Sequence, residues 1–174
     1  SQASFHYQID KLKETAQTDP LTGLLNRRGL AEAFNMLVQN QHAIGMIAID
    51  IDHFKKINDT FGHDLGDQVL KYLADVMKTH SRPEDILCRN GGEEFLMLLP
   101  DATLDQAIQA AQRLRAFVAS REDVPGCNRF TLSLGVVHWS AESGESIDAA
   151  LKQADEALYK AKANGRNRVE TVNF

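Results

Sequence analysis

The sequence predicts one mixed-sheet α/β domain. Amphipathic stretches at helical spacing alternate with short apolar runs, and no segment repeats. One run, Ala43 to Asp50, is nearly all apolar between polar neighbours, as a central strand buried on both faces requires. With 174 residues, 43% hydrophobic and 25% charged, the chain suits one globular domain with its own core and a short appendage.

The balance of 19 basic against 24 acidic residues, a net charge of −5, argues against holding nucleic acid or an anionic membrane through a basic surface. A small anion remains open to a few well-placed cations. Cys88 and Cys127 lack any CxxC or Cys/His spacing, so they read as reduced thiols of a cytoplasmic protein. Neither a signal-peptide pattern nor an apolar run of membrane-spanning length is present, so no direct membrane contact is expected, although a longer parent can be membrane-anchored.

In chain order, residues 1–17 space Phe5, Ile9, Leu12 and Ala16 by four, three and four, either a helix packed on its own domain or a dimer seam. Asp19-Pro20-Leu21-Thr22-Gly23 breaks it, because proline removes a donor and restricts its predecessor. Asn26 then caps a helix to about Gln39, and turn and capping chemistry accounts for Asp19, Arg27 and Arg28. The buried strand follows. Asp50 and Asp52 lie at its carboxyl end, where α/β sheets place ligand-handling groups, although Asp52 also reads as a cap.

Phe54 to Asp59 and Phe61 to Asp67 read as two polar clusters bracketing one loop, before a helix with Val69, Leu70, Leu73, Ala74 and Met77 inward. Asn58 and Asp67 offer an amide and a carboxylate that match the donor and acceptor edge of guanine, and caps use the same residues. Ile86 to Leu99 reads as a hairpin around Gly91-Gly92, which supply positive φ values and no side chain to keep a ligand away. Glu93 and Glu94 are expected to begin the return strand on opposite faces, one as a ligand and the other as support or base. A helix over 103–119, a strand over 130–137, a helix over 146–163 and an edge strand over 167–172 complete the order.

Adjacent strands bring Asp50 and Glu93 to one sheet edge, where two carboxylates repel unless they share a cation. Magnesium accepts one or two carboxylates plus phosphate oxygens, with the Ile51 carbonyl as a third protein donor. Lys162 and Arg166, four apart, face alike at the end of the last helix, where they also complement its dipole.

The segments Asp19 to Arg28, Gly91-Gly92-Glu93-Glu94-Phe95 after Arg89, and Asn164-Gly165-Arg166-Asn167 resemble, in order and across residues 18–172, the GGDEF family of bacterial diguanylate cyclases. The resemblance implies a ferredoxin-like nucleotidyl-cyclase palm of about five strands over 18–174. It also implies a linker helix over 1–17 leading from an upstream sensor absent from this fragment. It implies condensation of two GTP into cyclic di-GMP and two pyrophosphates across a homodimer. Two Mg2+ or Mn2+ ions per site would be held by Asp50, Ile51 and Glu93, with Asp50, Glu93 and Glu94 catalytic. His53 and Phe54 amides, Lys55, Lys162 and Arg166 would hold phosphates, Asn58 and Asp67 guanine, while His63, Gly91 and Gly92 shape the substrate site. Arg82 and Asp85, the latter separated from Gly91 by five residues, match an inhibitory product site to which Arg113 adds a second guanidinium. Asn90 stands where the family often has a bulky residue, and Glu replaces Asp at the motif's third letter. The alternative is a catalytically weak GTP or cyclic di-GMP receptor, or a dimerisation module, on the same fold.

Overall fold

The computed structural model describes residues 16–172. The expected seam residues Phe5, Ile9 and Leu12 lie outside the described residues, while Ala16 and Gln17 are helical. Helix α1 (Arg27–Gln39) starts where the Asn26 side chain accepts from the Gly29 amide at 3.0 Å, which satisfies one orphan donor of its first turn. Strand β1 (Ile44–Ile51) follows, then helices α2 (Phe54–Phe61) and α3 (His63–His80). The hairpin comprises β2 (Ile86–Gly91) and β3 (Glu94–Pro100). Helix α4 (Leu104–Ser120) opens with a reciprocal cap between Thr103 and Gln106, and β4 (Leu132–Trp139), α5 (Ile147–Ala163) and β5 (Arg168–Thr171) complete the chain.

The five strands lie in the order β2-β3-β1-β4-β5, antiparallel except for the parallel pair β4/β5. All of β1 is buried because both its faces are covered, as its unbroken apolar run predicts. Ile47, Ile49 and Ile51 join the core beneath α2, α3 and α4, while Ile44, Met46 and Ala48 join the core beneath α1 and α5. A β-carbon on Gly135 of β4 would lie 2.3 Å from the Leu158 amide nitrogen and 2.5 Å from the Ala154 carbonyl oxygen. Helix α5 therefore seats its backbone on the sheet, using the buried alanines 150, 154, 157 and 161. That seating carries the last turn of α5 to the carboxyl end of β1.

Residues 54–67 differ from the expected single loop. They form α2 and the start of α3, joined at Gly62, whose φ of 88° suits glycine. The helical signal is short, resting on Phe54 and Ile57 buried one turn apart, and the polar residues that suggested a loop occupy the outer face.

Candidate active site

Strand β1 delivers Asp50 to the sheet edge with only 3% of its surface exposed. Its Oδ2 accepts from Lys162 Nζ in the last turn of α5, whereas its Oδ1 is buried with no hydrogen-bond partner. A bare carboxylate oxygen removed from water is costly and marks a place for a donor or cation. Burial pushes the Asp50 carboxyl above its ordinary range. The Lys162 ammonium opposes that shift, and the charges of Glu93 and Glu94 add to it. Asp52, two residues on, is instead saturated. Its Oδ2 accepts from Thr131 Oγ1 at 2.7 Å and from the Asn167 amide at 3.0 Å, and its Oδ1 accepts from Ser133 Oγ at 2.6 Å. It ties the start of β4 to the turn after α5, so Asp52 is a cross-link rather than the helix cap expected; the cap position of α2 is His53, with no side-chain cap bond.

The hairpin tip departs in register from expectation. Gly91 pairs with Glu94, so the two-residue loop is Gly92-Glu93, and Asn90 is the extra residue of a bulge between Arg89 and Gly91. Gly91 and Gly92 do carry positive φ, 139° and 53°. Glu93 therefore belongs to the turn rather than to the return strand, and strand alternation does not force it away from Glu94. Glu94 opens β3 directly opposite Asp50. The donor set of Asp50 Oδ1, the Glu93 and Glu94 carboxylates and the Ile51 carbonyl suits a hard divalent cation, which would relieve the repulsion among the acids. Among the described residues no group of three His, Cys, Asp or Glu is placed to hold a metal unaided, so phosphate oxygens would have to complete the shell.

Sequence reasoning missed the residues that brace this tip. Arg89 donates through Nε to the Gly92 carbonyl at 2.9 Å and through Nη1 to Asp19 Oδ1 at 3.1 Å. Burial alone would raise the Asp19 carboxyl, but hydrogen bonds from Thr22 and the Arg89 charge hold it below its usual value. Leu25 exchanges backbone bonds with Leu87 and Arg89, and Arg27 Nε donates to both oxygens of Asn90 at 3.0 Å. The buried Cys88 thiol beside Leu25 is pushed up to about 12 by burial, so it is inert.

His53, in the left-handed region with φ 57°, turns the chain from β1 into α2 and precedes Phe54, which is buried. Lys55 is exposed on α2 and Asp67 on α3. Asn58 is half-buried, and its Oδ1 lies unpartnered against Gly66, the residue before Asp67. His63 is exposed at the start of α3. Arg166 does not share a helical face with Lys162 as expected, because α5 ends at Ala163; it is exposed in the following turn with φ 65°, its amide donating to the Ala161 carbonyl at 2.9 Å.

Arg82, Asp85 and Arg113 gather apart from these residues, around a cavity of about 170 Å³. Arg82 grips Asp85 through Nε at 3.0 Å and Nη2 at 2.8 Å, and its Nη2 also reaches the Pro100 carbonyl. This cavity adjoins the start of β2, roughly 17–20 Å of strand from the hairpin tip.

The family model described as diguanylate cyclase, GGDEF domain, matches residues 16–168. The diguanylate cyclase DgcM of Escherichia coli is 43% identical over 164 residues, covering 92% of this chain and 39% of that protein. The chain thus spans under two-fifths of that relative's length. The crystal structure of the coiled coil and GGDEF domain of DgcB from Caulobacter crescentus, in complex with c-di-GMP, superposes with a TM-score of 0.89 at 31% identity, covering 98% of this chain and 93% of that one. The structure of the active GGEEF domain of a diguanylate cyclase from Vibrio cholerae gives a TM-score of 0.75 at 34% identity, covering 87% and 99%.

Proposed function

Since this chain belongs to the GGDEF family of diguanylate cyclase domains, we propose that it condenses two GTP molecules into cyclic di-GMP and two pyrophosphates. The observation that carries the reading is the bare, buried Oδ1 of Asp50 opposite Glu94 on β3 and near the charge of Glu93 in the turn before it. Asp50, Glu93 and the Ile51 carbonyl are the residues that would hold Mg2+. A metal held there would offset the negative charge of the phosphates and ease loss of the proton from the attacking hydroxyl. The chain's own residues do the rest. Lys162 and Arg166, with Lys55 and the His53 and Phe54 amides, hold the triphosphate, while Asn58 and Asp67 read guanine.

Each domain holds one GTP, so two copies must face each other before the 3′-hydroxyl of each nucleotide attacks the α-phosphate of the other, one pyrophosphate leaving for each bond formed. Glu93 or Glu94 accepts the hydroxyl proton. The Vibrio cholerae domain is an active one that carries GGEEF, which supports glutamate at the motif's third position. The cavity lined by Arg82, Asp85 and Arg113 supports a product site that favours an unproductive arrangement of domains.

Incubation with GTP and Mg2+, followed by chromatography, tests the reading directly. Cyclic di-GMP is expected from the parent chain, and Glu93→Gln is expected to lose at least about 100-fold in turnover while melting normally. GTP binding without product would leave a receptor, and near-normal turnover of Glu93→Gln at saturating Mg2+ would falsify the assignment of Glu93.

A further inference from the structure

A cavity of about 380 Å³ opens beside α2, between that helix and the segment Asn128–Thr131 that enters β4. It lies within the size range of small-molecule sites. Lys56, Ile57, Thr60 and Phe61 face it at helical spacing, whereas Asn58 turns to Gly66 on α3. None of the side chains assigned above to guanine or triphosphate lines it. His53 alone is shared, and there only its amide is assigned to phosphate.

The lining is unusual for a surface hollow because its groups are uncommitted. Lys56 makes no ion pair among the described residues, and the one ion pair of Arg129, to the exposed Glu122, is 4.0 Å long. Phe61 is 51% exposed with its ring unpartnered among the described residues, while the buried Ile57 and Phe130 continue an apolar wall. The Asn128 side-chain carboxamide has no partner among the described residues, although its backbone N–H donates to the Pro125 carbonyl at 3.4 Å. The one acid in the lining, Asp52, spends its acceptors on Thr131, Ser133 and the Asn167 amide, and it forms no ion pair with Lys56 or Arg129.

We propose that this cavity is a second ligand site, for a small anion carried on a flat ring. Phe61 and the apolar wall would take the ring, and Lys56 and Arg129 the anionic group, as a charge-assisted contact. A nucleoside monophosphate and a simple aryl phosphate share this chemistry. Because His53 lines this cavity and also turns the chain from β1 into α2, an occupant bears on the turn whose amides are assigned to phosphate.

Titration calorimetry of the 174-residue chain separates the sources, with uridine monophosphate as a nucleotide lacking the guanine edge and 1-naphthyl phosphate as the aryl acid. At least one is expected to bind, and to bind about tenfold or more weakly to Lys56→Glu and to Phe61→Ala. Affinity for Asn58→Ala is expected to be unchanged. The substituted side chains are exposed, and Arg129→Glu serves if either variant fails to melt cooperatively. Absence of binding by both probes would overturn the proposal, as would loss of binding in Asn58→Ala or equal affinity for inorganic phosphate.

Discussion

Replacing Gly66 by alanine tests the guanine reading without touching any group assigned to the nucleotide. A β-carbon there would stand 1.8 Å from Asn58 Oδ1 and 2.9 Å from its Cγ. Contacts under 3.0 Å essentially never occur, so the amide must withdraw by at least about 1.2 Å. A misplacement of about 1 Å at a positioning group costs on the order of 100-fold in the affected step. The fold suffers less. Alanine favours a helix over glycine by about 1 kcal/mol, against an overpacking cost of about 1–3 kcal/mol, for a net loss of at most about 2 kcal/mol. At about 2–4 °C per kcal/mol for a domain of this size, the melting point falls by less than about 8 °C. Initial rates against GTP concentration should show KM raised at least about tenfold. Product inhibition, which draws on residues of another cavity, should be unchanged. A KM within twofold of the parent in a folded variant would refute the idea that this amide holds the base.

Asp50→Asn should abolish turnover yet raise the melting point at pH 7 in EDTA. Burial lifts the folded carboxyl's pKa, so the associated stability is complete below the ordinary value of 3.8 and lost as pH rises through the raised one. The gap from the parent should therefore close on acidification, and a lower melting point at pH 7 would mean that the Lys162 pair outweighs desolvation. Arg82→Ala should weaken inhibition by added cyclic di-GMP while preserving the initial rate, because it removes the fork held on Asp85, and superimposable inhibition curves would reject the product site. Specific activity should rise with protein concentration because two loaded domains must meet, and a flat response across monomeric concentrations would sink that mechanism.

The central strand and the hairpin were legible because their signals are local. An unbroken apolar run bounded by polar residues identifies β1, and a Gly-Gly pair between apolar runs identifies the turn. Helix α2 was not legible, since eight residues with two buried positions barely declare a period. The tip shifted by one residue because the bulge at Asn90 depends on Arg27 and Arg89, whose partners are fixed by tertiary packing. The four-residue spacing of Lys162 and Arg166 suggested one helical face, but α5 ends at Ala163 before Arg166, and nothing local points from Lys162 to an aspartate 112 positions upstream. Similarly, Asp19 reads as turn chemistry until the fold sets Arg89 against it across 70 positions.

The bracing of the tip by Arg89 bears on how a push delivered at Ala16 travels. The guanidinium bonds the Gly92 carbonyl and the Asp19 carboxylate at once, with both side chains of the ion pair about five-sixths buried. Leu25 stitches the same opening turn to β2, so backbone and side-chain bonds together tie the doorway of the domain to the acid-bearing turn. Displacing that opening turn would strain the Arg89 contact to the carbonyl of Gly92, the residue before Glu93, so the hairpin tip answers to the first described residues of the chain.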